Sequence, residues 1–291
     1  MPVGYWCPVL HAHLPYVRHP EYPEFLEEDW YFEALTETYI PILRILDGLV
    51  RDGVEYRLTM TLSPPLVSMM TDELLVGRYR RYLDRLVDLA LRETERTRRE
   101  QPHLEEMAWW YVREFEDVRR LFCDDWGSNV VNAFRRHLDS GRLEVLTCAA
   151  THGFLPLMDA VPEAVRAQIH LGAQHYRKHF DRDPAGIWLP ECAYMPGHEV
   201  FLREAGLRFS FLEAHGLTEA HPRPSFGVHA PLVSPGGIVF FGRDMESSRQ
   251  VWSSESGYPG DFDYREFYKD IGWELPMDDL AAFLPDGQRK N

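Results

Sequence analysis

Three histidines and one glutamate stand where strand-like runs end, and their types and spacing set the chemistry to be considered. His11 and His13 flank one residue after the run Tyr5–Leu10. Alternate residues of a strand point to the same side, so both imidazoles can face one pocket. Such a pair can ligate a hydrolytic metal, hydrogen-bond a substrate hydroxyl and orient a carboxylate, or be two satisfied buried histidines. Glu191 follows the run Gly186–Leu189 and Pro190, whose ring restricts the backbone just before it, and lies between Trp188 and Tyr194. A carboxylate there is costly to bury unless it is hydrogen-bonded or used in catalysis; the alternative is a salt bridge at the rim. His152 sits in the loop Thr151-His152-Gly153-Phe154-Leu155-Pro156, as a substrate contact or an ordinary loop histidine. Glu213 and His215 alternate after Phe209–Leu212 and can form a second polar pair. Arg243 and Asp244 follow Ile238–Phe241, where the arginine can keep a neighbouring carboxylate ionised.

Positioning these groups requires a scaffold with strand ends on one side. Six runs of four to seven apolar or β-branched residues (Tyr5–Leu10, Tyr56–Leu62, Leu143–Cys148, Gly186–Leu189, Phe209–Leu212 and Ile238–Phe241) are separated by helical segments. That pattern predicts buried parallel strands in an α/β fold. Five of the six ends carry His, Glu, Asp or Arg, which favours a β/α barrel, with its active face at the strand carboxyl ends, over an open doubly wound sheet. Ile40, Leu43, Leu46 and Val50 predict a helix between the first two strands, and Pro196–Ala205 a short one closed by Gly206. The stretch 64–141 reads as an inserted helical subdomain, with apolar stripes Tyr79/Leu83/Leu86/Ala90 and Tyr111/Phe115/Val118/Phe122; residues 1–63 and 142–291 are assigned to the barrel. Residues 245–273, with Trp252, Tyr258 and Trp273, read as a long polar loop suited to cover an extended ligand, or else a surface loop packing its own aromatics.

Composition narrows the partners. The formal charge is −15, from 46 acidic and 31 basic side chains, so a nucleic acid is not expected. Aromatics at 13% beside many carboxylates suit neutral ring-shaped ligands such as sugars. No apolar run approaches the ~20 residues of a membrane span, and the N-terminus lacks the regions of a secretory signal. Four scattered cysteines without a CxxC pair predict a reduced, cytoplasmic protein. Six strands do not close a barrel, so the sequence looks cut before its last strand.

Taken together, His11-Ala12-His13-Leu14-Pro15-Tyr16, Ala150-Thr151-His152-Gly153-Phe154-Leu155-Pro156, Gly186-Ile187-Trp188-Leu189-Pro190-Glu191-Cys192-Ala193-Tyr194 and the Gln250–Trp273 stretch resemble glycoside hydrolase family 57, and within it the 1,4-α-glucan branching enzymes. The third motif is the specific one. The resemblance implies an incomplete, seven-stranded, TIM-like β/α barrel with an inserted helical subdomain, followed by an α-helical C-terminal domain. It implies no metal or other cofactor, an α-1,4-glucan substrate, Glu191 as nucleophile of a retaining transfer that makes α-1,6 branches in glycogen-like polymers, and His11, His13, His152, Trp188, Glu213, His215, Arg243, Asp244, Trp252, Tyr258 and Trp273 as substrate-site residues. The family's acid/base aspartate belongs to a later strand and has no counterpart here; neither Asp244 nor Asp261 is assigned to it. A fragment with little or no activity of its own is therefore expected. The alternatives are a 4-α-glucanotransferase or α-amylase of the same family, a metal-dependent hydrolase or deacetylase using His11 and His13, and a glucan-binding module without turnover.

Overall fold

The computed structural model describes residues 4–264, 272, 275–281, 283 and 284. Trp273 lies outside the described residues. Contacts divide the chain into two compact units: residues 1–13, 58–66 and 144–270 form the first, and residues 14–57, 67–143 and 271–291 the second. The second unit takes in helices from between the first two strands as well as most of the 64–141 stretch.

The chain forms a mixed seven-stranded sheet: β1 (Val9–Ala12), β2 (Leu58–Leu62), β3 (Leu143–Cys148), β4 (Gly186–Trp188), β5 (Phe209–Leu212), β6 (Leu232–Val233) and β7 (Val239–Gly242), in the order β1-β2-β3-β4-β5-β7-β6. The pairs β1–β2, β3–β4, β4–β5 and β5–β7 are parallel. Register is set in β1–β2 by His11 opposite Thr61 and Ala12 opposite Leu62, and in β3–β4 by Cys148 opposite Trp188. In-register parallel pairing brings the residue that ends one strand beside the residue that ends the next. It is how functional groups far apart in sequence meet at the carboxyl edge.

All six expected strands exist, with two adjustments. The first begins at Val9 rather than Tyr5: Tyr5 and Trp6 are 95% and 82% exposed and lie outside the sheet. His11 is therefore within the strand, not after it. The strand that the sequence did not announce, β6, runs antiparallel to β7. It is a two-residue arm of a hairpin turning at Ser234–Gly237, where Gly237 takes φ 84° and the Ser234 N–H donates to the Ile238 carbonyl at 2.9 Å. Two residues flanked by Pro231 and Pro235 give no periodicity to read.

In the first unit the sheet is backed by α7 (Leu155–Met158), α8 (Pro162–Phe180) and α9 (Glu199–Glu204), with Leu155, Ile169, Ala173, Ile187, Leu189, Leu202 and Phe240 in one buried cluster. Gly172 on α8 is packed so tightly that a Cβ there would stand 2.1 Å from the Cys148 carbonyl oxygen. Thr147 Oγ1 donates to the Gly172 carbonyl at 2.8 Å, locking helix and strand together.

The second unit is helical: α1 (Leu26–Ala34) continues through a π-helical turn into α2 (Ile40–Arg51), followed by α3 (Pro64–Met70), which passes into it from the first unit, then α4 (Glu73–Glu100), α5 (Glu105–Arg120) and α6 (Val130–Asp139). Ile40, Leu43 and Leu46 are buried as their spacing predicts, and so are Tyr79, Leu83 and Ala90 on α4. Of the expected stripe on α5 and the turn after it, Val118 and Phe122 are buried, but Tyr111 is exposed, a correction, and Ala108 and Val112 are buried in its place. Tyr111 and Val112 are adjacent, about 100° apart around the helix, so at this turn the buried face runs through Val112 instead. The buried Arg78–Glu28 ion pair ties α4 to α1.

The described part of the stretch expected to be a long loop, residues 245–264, is largely helical. α11 (Met245–Trp252) follows β7 directly, and short 3₁₀ turns occupy Tyr258–Gly260 and Phe262–Tyr264. Its glycines mark close backbone packing: a Cβ at Gly260 would stand 2.0 Å from the Ser254 carbonyl oxygen.

Candidate active site

The carboxyl ends of β1 to β4 converge on one constellation. His11 stacks on Trp188, with ring centroids 4.5 Å apart and planes within 13°. His13 stacks on His152 at 3.7 Å and 10°. His11 Nε2 and His152 Nε2 are hydrogen-bonded at 3.0 Å, and His13 Nδ1 meets Ser63 Oγ at 2.9 Å. Ser63 is the first residue after β2 as His13 is the first after β1, and the Ser63 N–H donates to the Ala12 carbonyl at 3.1 Å. It was not among the expected site residues; its place directly after the run Tyr56–Leu62 was the available signal.

A hydrogen bond between two imidazoles requires one ring to donate and the other to accept, so at least one must be neutral. The electrostatics agree. Desolvation, then the neighbouring His152 and His13 rings and Arg243, lower the His11 pKa to about 3. Desolvation and His152 lower His13 to about 4. His152 is also lowered by desolvation, while the Glu191 carboxylate pulls it the other way. At neutral pH the three rings are uncharged hydrogen-bonding groups. Among the described residues, no group of three His, Cys, Asp or Glu side chains is arranged to hold a metal ion.

Glu191 is solvent-exposed at the end of β4, in a 3₁₀ turn, with φ 57° and ψ 25°. Cys192 (φ 52°) and His152 (φ 57°) share this left-handed conformation. For a residue with a Cβ that conformation costs on the order of 1–2 kcal/mol and persists only where the surroundings impose it. Three strained residues in two loops around one stack of rings mark a site held against local preference. Cys148 and Cys192 lie beneath Trp188 in a small apolar cluster. Burial pushes both thiols up, Cys192 to about 12, so they stay protonated.

The remaining residues fall into two groups. Arg243, the first residue after β7, forms an ion pair with Glu213, the first after β5, so these two join as a charged pair and not through Asp244. The expected Glu213–His215 alternation is corrected: β5 ends at Leu212, Glu213 precedes helix α10 (Ala214–Thr218), and His215 is exposed on its first turn. Asp244 caps α11, accepting from the Ser247 N–H at 3.1 Å and the Ser247 hydroxyl at 2.6 Å; these bonds lower its pKa. Trp252 and Tyr258 are both more than half exposed, and Tyr258 packs edge-on against Tyr264.

A parallel-rich sheet whose strand ends gather a carboxylate, neutral imidazoles, a tryptophan and an Arg–Glu pair has the layout of an enzyme's active face. The profile of glycosyl hydrolase family 57 matches residues 9–284, and the chain belongs to this family. It is 36% identical to the 1,4-alpha-glucan branching enzyme of Thermococcus kodakarensis, over 91% of this chain and 42% of that protein. Among solved structures, the alpha-amylase AmyC from Thermotoga maritima superposes with a TM-score of 0.93 at 43% identity, covering 98% of this chain and 54% of that one. The GH57-type branching enzyme of Pyrococcus horikoshii gives a TM-score of 0.82 at 37% identity, covering 91% and 51%. The chain thus spans about half the length of the relatives it matches. No helix among the described residues is long and apolar enough to cross a membrane.

Proposed function

We propose that the chain carries the nucleophile half of a retaining α-glucan transferase, a 1,4-α-glucan branching enzyme built on an incomplete seven-stranded β/α barrel. The observation that carries this reading is Glu191: an exposed carboxylate at a strand's carboxyl end, held in a left-handed conformation within electrostatic reach of His152. The relatives named as branching enzymes supply the substrate class.

In the first step a Glu191 oxygen bonds to the anomeric carbon of an α-1,4-linked glucose as the bond to the leaving O4 breaks. A second carboxylic acid, not assigned to any residue of this chain, gives O4 its proton. In retaining enzymes the two carboxyls lie roughly 5–5.5 Å apart. In the second step a glucan 6-hydroxyl, losing its proton to the same partner, displaces Glu191 and forms an α-1,6 bond. His11, His13 and His152, being neutral, orient sugar hydroxyls without adding positive charge next to the nucleophile. Trp188, Arg243 and Glu213 complete the substrate site, and Trp252 and Tyr258 shield the intermediate from water. His215 and Asp244 bind substrate less directly, being committed to the starts of α10 and α11. The four unpaired cysteines fit a reduced cytoplasmic setting.

The test is incubation of the complete gene product with amylose, followed by linkage analysis. New α-1,6 linkages are expected. Shorter linear chains alone would favour an α-amylase, the second reading, which the structural likeness to AmyC supports. Stoichiometric zinc lost on replacing His11 and His13 would overturn both in favour of a metal-dependent hydrolase.

A further inference from the structure

The strained backbone at the site raises the question of what restrains it. His152 and Glu191 lie on different loops, after β3 and after β4, and both hold φ 57°. The first loop is anchored at its start, where Gln168 receives the Thr151 N–H at 2.9 Å and donates to the Thr151 hydroxyl at 2.8 Å. It then folds back on itself, with Met158 packed so closely on Gly153 that a Cβ there would stand 2.9 Å from the methyl carbon. The second loop is anchored at its far end. Glu199 accepts from the Tyr194 hydroxyl and from the Gly197 N–H, both at 2.7 Å.

Between these anchors the two loops are joined directly. His198, only 3% exposed, holds the Asp159 carboxylate through Nε2 at 2.9 Å. Its Nδ1 is buried without a partner, so the ring's polar commitment is to Asp159. Asp159 ends the His152 loop just after α7, and His198 ends the Glu191 loop just before α9. Leu155 of the first loop and Leu189 at the start of the second lie in the same buried apolar cluster.

We propose that His198 and Asp159 are positioning residues: their hydrogen bond ties the His152 loop to the Glu191 loop and keeps both in the left-handed conformations that present the imidazole and the carboxylate to one substrate. The inference rests on Glu191 being the nucleophile for its catalytic consequence, though not for its structural one. A strained residue relaxes once a restraint is lost, and misplacing a reacting group by about 1 Å can cost around 10²-fold in rate.

Asp159 is 41% exposed, so Asp159→Ala cuts the link without emptying the core. Asp159→Asn keeps an oxygen that can accept from Nε2. Two readouts are taken on the 291-residue chain: hydrogen–deuterium exchange of peptides spanning 150–158 and 189–195, and the rate of covalent labelling of Glu191 by an activated α-glucosyl fluoride. Fluoride leaves without protonation, so the unassigned acid is not needed. Asp159→Ala is expected to speed exchange in both peptides and slow labelling about ten- to a hundredfold, with Asp159→Asn restoring most of both. A merely local role would loosen the 150–158 peptide only; unchanged exchange at 189–195 in Asp159→Ala overturns the proposal. Absence of labelling in the wild-type chain would count against Glu191 as nucleophile, while exchange decides the loop coupling separately.

Discussion

Glu191 and the three histidines carry the account at the scale of single residues. A glutamate at φ 57° is strained where a glycine is not, so Glu191→Gly is expected to raise stability by up to about 1 kcal/mol in urea unfolding while abolishing glycosyl transfer. A loss of stability would mean that the side chain holds the loop rather than serving the reaction. The histidines make a pH prediction with a definite sign. His13 is lowered from 6.5 to about 4 in the folded chain, so between these values the unfolded chain binds more protons. The stabilising contribution is complete above about pH 6.5 and is lost as pH falls toward 4. His13→Asn should therefore flatten the fall in unfolding temperature between pH 7 and 4; a variant as steep as the wild type would contradict the shift. His11, His13, His152 and Glu191 were legible because each stands at or just after a β-like run. Ser63 was not, because a serine before two prolines reads as a turn until β1 and β2 are known to be in register. The helical settings of Asp244 and His215 were not legible for the opposite reason. Both were taken as strand-end groups, and the chain turns helical at once after β5 and β7.

The six expected strands were legible at the scale of elements because buried β-branched and apolar runs leave a signal that short edge strands do not. Strand β6, with two residues, had no signal, and α11 was hidden in Met245–Trp252 because its serines and charges leave it without a buried residue. The α8–β3 contact is the element-level feature most sensitive to one atom. Gly172→Ala places a methyl 2.1 Å from the Cys148 carbonyl oxygen, a backbone atom that cannot turn aside. Overpacking of this kind costs about 1–3 kcal/mol. Thermal unfolding of Gly172→Ala should fall by roughly 2–12 °C, at about 2–4 °C per kcal/mol for a chain of this size or somewhat smaller. An unchanged midpoint would show that α8 can move off the sheet at no cost.

For the whole molecule, two compact units divide the work. The first holds the sheet and every described residue of the candidate catalytic constellation, and the second is helical. A net charge of −15 leaves the surface suited to a neutral polymer rather than a polyanion. That the chain spans about half of its relatives' length shapes the decisive experiment, since a test of Glu191 should not depend on the acid that remains unassigned. Covalent labelling of the 291-residue chain with a fluorinated α-glucosyl fluoride, followed by peptide mass spectrometry, meets that condition. One sugar attached to the peptide containing Glu191, and none in Glu191→Gln, is the predicted result. A sugar on any other residue, or labelling that survives Glu191→Gln, would contradict the account.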